Sequence, residues 1–290
     1  MFSVIFKEIR VYQWVKNLLI FVPLLLSHTF LISDLVIDSI IAFIAFSLCA
    51  SSVYVINDIC DVEADKKHPV KKFRPVAAGS ISISTAKIIA VILFSIALVI
   101  ALNLNQQFVW VFCAYFILTL AYSFGLKAIT LIDVLILGGL YTFRLIAGVV
   151  VINVEISYWL IVFSFFVFMS LAIIKRFIEL KNMQSRNETV MTHRGYEVSD
   201  TGLLLIMGVV SSYIAVLVVA LYIHDPLVVT KYSSPVWLWF VIPAMTYWLS
   251  RIWMIANRGN LTEDPVLFAL KDRVSYAVFL VCLASVLLAI

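Results

Sequence analysis

The sequence predicts an all-α protein that crosses a membrane many times, and two observations lead to this fold class. Of the 290 residues, 63% are hydrophobic and only 13% are charged, whereas about a quarter of the residues in a typical soluble domain are charged. The apolar residues also form long runs, and a helix needs about 20 such residues to cross a bilayer. Because lipid offers the backbone no hydrogen-bond partners, each run is expected to be helical.

Nine apolar runs are long enough to be considered as membrane spans. The predicted spans are residues 18–33, 36–56, 85–104, 107–121, 131–152, 157–174, 202–223, 235–255 and 274–290. No linker of distinct composition separates them, so we expect one domain over residues 1–290 that consists of a bundle of nine transmembrane helices. The four cysteines are widely spaced and predict neither a disulfide framework nor a zinc site.

Basic residues are concentrated on one side of this predicted bundle. Nineteen of the 21 Lys and Arg residues lie in the N-terminal segment and in the loops near residues 57–84, 122–130, 175–201 and 251–273. The positive-inside rule places the N-terminus and these loops in the cytoplasm and the C-terminus outside, in a multi-pass protein of the cytoplasmic membrane. The net charge of +4 reflects this orientation, so we expect no nucleic-acid partner. Any chemistry is expected at the cytoplasmic face.

The segment 57–79, NDICDVEADKKHPVKKFRPVAAG, directly follows the second predicted span and is the densest group of charges in the chain. On a helix, four of its polar residues fall within an arc of about 100°; they are Asn57, Asp58, Asp61 and Asp65. Three carboxylates on one face repel each other unless a cation lies among them, and Mg²⁺ prefers oxygen ligands and carries substrate phosphates with it. The sequence therefore predicts a catalytic Mg²⁺ site formed by the three aspartates, with Asn57 orienting a carboxylate or a bound water.

Basic residues follow the aspartates within the same segment. Lys66, Lys72 and Arg74 are expected to bind phosphate groups that the metal does not neutralise. Pro69 and Pro75 are expected to end the helix and to fold these residues back as a loop.

Other polar residues are predicted at the same cytoplasmic mouth. The candidates for substrate binding are Gln13, Lys16, Asn17, Tyr122, Lys127, Asp133, Arg144, Lys175, Arg176 and Glu179. Several of them have a structural alternative. Lys16 and Lys127 are also typical interfacial anchors, Arg144 is either part of a polar pocket or paired with a buried acid, and Arg176 with Glu179 is an i, i+3 pair.

Two later segments carry weaker signals. Arg194, Gly195 and Tyr196 are predicted to form a hinge or lid in the third cytoplasmic loop. Asp272 is either a site residue or the polar start of the last helix.

The pattern NDxxDxxxD after the second span of a nine-span chain resembles the UbiA-type intramembrane prenyltransferase superfamily. The resemblance covers essentially the whole chain and implies Mg²⁺ and a diphosphate held at the cytoplasmic mouth of the bundle. Aromatic prenyltransferases of this type carry a second aspartate-rich motif after the sixth span. Here that position reads KRFIELKNMQSR, in which Glu179 is the one carboxylate. A single aspartate motif together with a basic patch better suits two phosphorylated substrates.

The finer pattern is similar to one branch, the decaprenyl-phosphate phosphoribosyltransferases. The matching motifs are QWVKN at 13–17, NDxxDVEADxxHPxKxFRPxAAG at 57–79, YSFGLK at 122–127 followed by Asp133, and KRxxEL at 175–180. This resemblance implies Mg²⁺-dependent transfer of 5-phosphoribosyl from phosphoribosyl pyrophosphate (PRPP) to a polyprenyl phosphate, with release of pyrophosphate. The expected lipid-phosphate ligands are Lys16, Lys127, Lys175 and Arg176, and Asp133 is expected at the ribose hydroxyls or a second cation.

Two alternatives remain open at this stage. The first is prenyl transfer from a prenyl diphosphate to an aromatic or other small acceptor, which the missing second aspartate motif disfavours. The second is a transporter, which the position of nearly all polar groups at one mouth disfavours, because transporters place such groups near the bilayer midplane.

Overall fold

The computed structural model describes residues 2–67, 70–155, 157–186, 194–225, 232–261 and 264–290. The regular secondary structure in these ranges is helical, which confirms the predicted all-α class. Seven helical segments within them are long and apolar enough to cross a membrane. They are α3 (Ser33–Cys60), α5 (Ile83–Leu102), α6 (Gln106–Phe124), α7 (Ile132–Val151), α8 (Tyr158–Gln184), and the segments Val198–His224 and Pro235–Asn257. The last two begin with 3₁₀ turns and continue as α9 (Thr201–His224) and α10 (Val241–Asn257).

The shorter helices are α1 (Phe2–Glu8), α2 (Val22–Leu26), α4 (Val62–Lys67), α11 (Pro265–Ala269) and α12 (Arg273–Ala289). Short 3₁₀ turns occur at Lys71–Phe73 and Leu126–Ala128.

The first predicted span differs from the structure. Residues 18–33 do not form one α-helix; an 11-residue 3₁₀ helix, Val11–Phe21, is followed by α2, which ends at Leu26. A 3₁₀ helix rises about 2.0 Å per residue instead of about 1.5 Å, so the segment Val11–Leu26 reaches about 30 Å, the thickness of a hydrocarbon core. This segment and α12 are nevertheless shorter apolar helices. Of the nine predicted spans, seven thus correspond to segments of the described chain that are long and apolar enough to cross a membrane.

The end of the sixth predicted span also differs. We predicted 157–174, but α8 continues to Gln184. The residues of the KRFIEL motif therefore lie on a helix rather than in a loop. This places Arg176 and Glu179 one turn apart on the same helical surface.

The chain divides into two compact units, and the boundary between them falls within α7. Unit 1 comprises Met1–Lys127 and Phe143–Ile156. Its central element is α3, which packs against α5, α6 and the Val11–Phe21 segment. Small residues allow this close approach: a Cβ at Gly148 would lie 2.2 Å from the carbonyl oxygen of Ile20, and Ser52 Oγ donates to the Ala90 carbonyl oxygen at 2.8 Å. Such contacts are typical of helix packing in membranes.

Unit 2 comprises Ala128–Thr142 and Ser157–Ile290. Its core forms where α8, α9 and α10 meet, and Trp253 is buried there. The indole N–H donates to Ser170 Oγ at 3.0 Å and to Ser212 Oγ at 3.1 Å. The ring lies against Gly208, where a Cβ would approach within 2.0 Å. Buried polar groups are thus paired within the unit rather than left exposed to lipid.

Candidate active site

The aspartate segment lies at the end of α3 and the start of α4. Asn57 and Asp58 are on α3, Asp61 is the C-cap residue, and Asp65 lies in α4. Asp61 leaves the helical conformation (φ −93°, ψ 7°), but its N–H donates to the Asn57 carbonyl oxygen at 2.9 Å and it accepts from the Asp65 N–H at 2.8 Å. The i to i+4 pattern therefore continues across the break, and the predicted helical spacing is kept.

Two arginines hold the buried aspartates. Arg10 Nη2 contacts the two carboxylate oxygens of Asp58 at 2.5 and 2.6 Å. Arg74 Nη1 donates to Asp58 Oδ1 at 2.9 Å and to Asp65 Oδ2 at 2.6 Å. Asp58 and Asp65 are only 2% and 3% exposed. One guanidinium thus bridges two of the three motif carboxylates through charge-assisted hydrogen bonds.

The third aspartate has a separate cation. Lys127 Nζ donates to the two oxygens of Asp61 at 2.8 and 3.0 Å. Lys127 comes from the 3₁₀ turn that follows α6. The structure therefore brings together two predicted site residues that are 66 positions apart in the sequence. Lys127, which we predicted to bind a phosphate, forms an ion pair with Asp61.

The chemistry of this donor set fits Mg²⁺, although the arrangement of the side chains is that of ion pairs. All the candidate ligands are oxygens, as Mg²⁺ requires, and the buried Oδ1 of Asn57 has no hydrogen-bond partner. However, within the described ranges no three His, Cys, Asp or Glu side chains are grouped as a metal site. A metal at the aspartates would compete with Arg10, Arg74 and Lys127 for the carboxylate oxygens.

Two residues of this site, Glu8 and Arg10, were not predicted from the sequence. Glu8 is fully buried, and neither of its carboxylate oxygens has a hydrogen bond of normal geometry. Burial raises the pKa of Glu8 to about 7; the charge of Asp58 also raises this pKa, while Arg10 and Arg74 lower it less. Arg10 adopts the left-handed conformation (φ 51°, ψ 50°), which is unfavourable for a non-glycine residue. The one sequence signal was the presence of charges in an otherwise apolar N-terminal stretch.

The basic loop residues divide into two groups. Arg74 contacts the aspartates, as described above. Lys66 is exposed and pairs with Glu63 at 2.7 Å, and Lys72 is exposed and lies 5.2 Å from the centroid of the Phe73 ring. Of the three residues predicted to bind donor phosphates, Arg74 is the one for which the structure gives a contact with the motif carboxylates.

A second polar cluster of unit 1 is buried among α3, α6 and α7. Arg144 Nε donates to Asn17 Oδ1 at 2.7 Å, and Nη2 donates to the Tyr115 hydroxyl at 2.9 Å. Asn17 Nδ2 in turn donates to Ser47 Oγ at 3.0 Å. Arg144 is 5% exposed. The structure thus joins two predicted site residues, Asn17 and Arg144, through neutral hydrogen-bonding groups.

The remaining unit 1 candidates are Gln13, Lys16 and Tyr122. Gln13 Oε1 is buried and has no hydrogen-bond partner. Lys16 is half-buried and Tyr122 is buried on α6.

Unit 2 contains a buried ion network. Arg176 donates through Nε and Nη2 to the two oxygens of Asp133, and through Nη1 to Glu179. Arg194 Nη1 reaches the same Asp133 at 3.1 Å. The side chains of Arg176 and Asp133 are 1% and 0% exposed. Arg176 is therefore engaged with two acids, whereas Lys175 is 42% exposed and lies 3.8 Å from Asp264.

The predicted hinge at residues 194–196 packs against residues 128–131. Tyr196 is fully buried, and its hydroxyl accepts from the Leu131 N–H at 3.1 Å. Thr130 Oγ1 donates to the Gly195 carbonyl oxygen at 2.5 Å. Gly195 has φ +65°, and a Cβ there would lie 2.7 Å from the Ala128 carbonyl oxygen. The neighbouring His193 lies outside the described residues.

Asp272 is the start of a helix. Its carboxylate caps α12 by accepting from the Ser275 N–H at 2.8 Å. The same carboxylate forms a bidentate pair with Arg251 at 2.7 and 3.0 Å.

Comparisons with protein families, with known sequences and with solved structures all point to the same family. The pattern of the UbiA prenyltransferase family matches residues 19–288. The protein y4nM of Sinorhizobium fredii is 38% identical over 271 residues, which are 93% of this chain and 52% of that protein. The chain thus spans about half the length of that relative.

Two further relatives are matched over most of their length. The nodulation protein NoeC of Azorhizobium caulinodans is 31% identical over 284 residues, 96% of this chain and 89% of that protein. A decaprenyl-phosphate phosphoribosyltransferase of Mycobacterium tuberculosis is 30% identical over 285 residues, 97% of this chain and 92% of that enzyme.

Among solved structures, a UbiA homologue from Archaeoglobus fulgidus bound to GPP and Mg²⁺ has a similar fold. Its TM-score is 0.71 at 15% identity, and the match covers 98% of this chain and 99% of that one. At this level of identity, the similarity concerns the fold alone.

Proposed function

Because this chain belongs to the UbiA prenyltransferase family, we propose that it is a membrane-embedded, Mg²⁺-dependent transferase that moves 5-phosphoribosyl from PRPP to a polyprenyl phosphate. Pyrophosphate is the other product. The observation that carries this proposal is the unit 1 cluster, in which three motif carboxylates are held beside arginine and lysine side chains. The relative from Mycobacterium tuberculosis supports the donor and the acceptor.

The metal is assigned to Asp58, Asp61 and Asp65, with Asn57 orienting a carboxylate or a bound water. When bound, Mg²⁺ would supply positive charge to the departing pyrophosphate. The similarity to a UbiA homologue that holds GPP and Mg²⁺ supports this assignment. Arg74, which is already in contact with two of these carboxylates, is the residue we assign to the donor phosphates.

The acceptor needs recognition more than activation. A lipid phosphate is already anionic at neutral pH, so no strong general base is required. Lys16 in unit 1 and Lys175 in unit 2 each keep some exposure, and we propose each of them separately as a candidate ligand for this phosphate. Arg176 and Asp133 are assigned a positioning role, because their charges are directed at each other.

Three further assignments belong to this proposal. We propose nine crossings, with the segment Val11–Leu26 and α12 as the first and last. The N-terminus and both ionic clusters are assigned to the cytoplasmic side and the C-terminus to the outside. We treat the whole chain as one functional domain.

The metal assignment is tested by conservative substitutions. Asp58→Asn and Asp61→Asn should each lower the transfer of label from PRPP into polyprenyl phosphate by at least about a hundredfold, because each removes a charged ligand. Both proteins should remain folded, as judged by gel filtration in detergent. The assay uses purified protein with Mg²⁺ and measures label in the organic phase.

The matched control is Glu63→Gln, which alters a fully exposed carboxylate of the same segment that pairs with Lys66. This variant should keep normal rates. Near-normal transfer by either aspartate variant would remove these residues from the metal site.

A second candidate function stays within the family. The match to the UbiA prenyltransferase family supports, as the alternative, transfer of a prenyl group from a prenyl diphosphate to a small acceptor. Against it, the position after the sixth predicted span carries the Arg176–Glu179 pair in place of a second aspartate motif. Release of pyrophosphate from a prenyl diphosphate, without any use of PRPP, would favour this alternative. Membership of a transferase family removes the support for a transporter.

A further inference from the structure

Glu8 is a buried acid without a side-chain hydrogen-bond partner, and it lies within the ionic cluster of unit 1. Its side chain is fully buried, neither oxygen accepts a hydrogen bond of normal geometry, and the backbone N–H of Val76 is the donor that acts on its pKa. Buried polar groups are nearly always paired in folded proteins, and buried charges are paired or bound to metals. The unpaired state of Glu8 therefore calls for an explanation. Asp58, Arg10 and Arg74 are the charged groups that act on it.

Arg10 is held in a strained conformation beside this acid. Its φ of 51° is sparsely populated for a residue with a side chain. In this conformation its guanidinium donates to both oxygens of Asp58 and stacks over the ring of Tyr54, with Cζ 5.1 Å from the ring centroid. The side chain is 17% exposed. Arg10 thus occupies the carboxylate that the proposed function assigns to a metal.

A cation that binds both oxygens of Asp58 therefore competes with Arg10 for them. A mostly buried guanidinium that loses its carboxylate needs another anionic partner, because an unpaired buried charge is strongly unfavourable. Glu8 is two residues away in the chain, its oxygens accept no side-chain hydrogen bond, and the charge of Arg10 already acts on it.

We propose that Glu8 is a positioning residue that receives the guanidinium of Arg10 when a divalent cation takes the carboxylate of Asp58. The inference rests on the metal site of the proposed function and adds two residues to it. The affinity of the site for metal is then set by the difference between two ion pairs, Arg10 with Asp58 and Arg10 with Glu8. Neither residue needs to touch the metal or the substrates.

The test is a double-mutant cycle on metal binding, with Mn²⁺ as the probe. Binding to the purified full chain in detergent is followed by electron paramagnetic resonance without substrates, at about pH 8, above the pKa of Glu8. Glu8→Gln should weaken Mn²⁺ binding about tenfold, as removal of a residue that orients metal ligands typically does. Arg10→Asn should strengthen binding, because the competing cation is gone. Asparagine is chosen because it tolerates the left-handed conformation.

The decisive comparison is between backgrounds. In the Arg10→Asn protein, Glu8→Gln should have no further effect, since no guanidinium remains to be received. An equal loss of affinity with and without Arg10 would overturn the proposal, because it would make Glu8 a metal ligand or a distant charge. Unchanged binding in Glu8→Gln alone would also overturn it.

Three controls keep the result interpretable. Glu63→Gln changes an exposed acid on the same segment and should leave Mn²⁺ binding unchanged. If Arg10→Asn does not yield folded protein, Arg10→Gly keeps the backbone conformation and serves in the cycle. Asp58→Asn should abolish binding. Equal binding by wild type and Asp58→Asn would refute the metal site itself, whereas loss in Asp58→Asn without Glu8–Arg10 coupling would refute this inference alone.

Discussion

Arg176 is almost fully buried, although its place in a KRxxEL motif makes it a natural ligand for a phosphate. Its guanidinium is directed at Asp133 and Glu179. Lys175, the preceding residue, is partly exposed. Burial thus distinguishes two adjacent cations, Arg176 inside an ion network and Lys175 partly exposed to solvent, which the sequence alone does not distinguish.

This assignment predicts the effect of Arg176→Gln. The substitution leaves the buried Asp133 with one arginine fewer, so unfolding should become easier by about 3 kcal/mol. The midpoint of thermal unfolding in detergent measures this. Lys175→Gln is the matched control and should shift the midpoint little, because an exposed pair contributes little. A small shift in Arg176→Gln together with a raised KM would identify Arg176 as a substrate ligand.

At the same scale, the sequence predicted the aspartates but not their partners. The spacing of Asp58, Asp61 and Asp65 is local and follows from helical geometry. Arg10 is 48 positions from Asp58, and Lys127 is 66 positions from Asp61. Which cation pairs with which carboxylate depends on how α3 packs against the N-terminal segment, and the sequence alone does not give that packing.

At the scale of the helices, apolar runs located most spans but not their type or ends. In Val11–Phe21 the polar residues Gln13, Lys16 and Asn17 are spaced three and four apart, which fits a 3₁₀ helix and an α-helix equally well over 11 residues. The apolar run ends at residue 174, where charged residues begin, and the predicted span ends with it, whereas α8 extends to Gln184. Burial of Arg176 within unit 2 stabilises the helix beyond the apolar run.

Close packing of α9 against α10 predicts a large effect at Gly208. A Cβ there would lie 2.0 Å from Trp253 and 3.0 Å from Ile173. Gly208→Ala should therefore destabilise the protein by about 1–3 kcal/mol through overpacking. Gly202 is on the same helix with nothing within 4 Å, so Gly202→Ala should be neutral or slightly stabilising. Equal unfolding midpoints for the two variants would contradict this account of the packing.

The start of α12 predicts a pH dependence. The hydrogen bond from Arg251 holds the pKa of Asp272 below its ordinary value of 3.8. Because the folded-state pKa is lowered, this stabilisation is present above the ordinary pKa and is lost as the pH falls below it. The difference in unfolding midpoint between wild type and Asp272→Asn should thus be largest near neutral pH and shrink on acidification.

Arg251→Gln provides the control for that experiment. In the Arg251→Gln background, the effect of Asp272→Asn on the unfolding midpoint should depend less on pH, because the guanidinium that lowers the pKa of Asp272 is gone. The Ser275 N–H still donates to the Asp272 carboxylate in that background. A difference that grows on acidification would show that the carboxylate is destabilising.

At the scale of the whole chain, composition was sufficient for the fold class and the motif for the family. The apolar segments indicate a multi-pass membrane protein, and the NDxxDxxxD pattern identified the family that the comparison confirms. The donor and acceptor are less determined, because y4nM and NoeC match as well as the phosphoribosyltransferase does. Substrate choice depends on a few polar side chains, and the percentage of identical residues over the whole chain does not report on them.

The most direct test of the account follows the two ends of PRPP separately. The purified protein is incubated with polyprenyl phosphate, Mg²⁺ and PRPP labelled either at the 5-phosphate or in the pyrophosphate. We expect the 5-phosphate label to enter the lipid phase in proportion to time. The pyrophosphate label should stay in the water phase and appear there as free pyrophosphate at the same rate. With Asp58→Asn, neither labelled lipid nor free pyrophosphate should form. Absence of 5-phosphate label from the lipid, in a preparation that consumes a prenyl diphosphate, would contradict the proposed reaction.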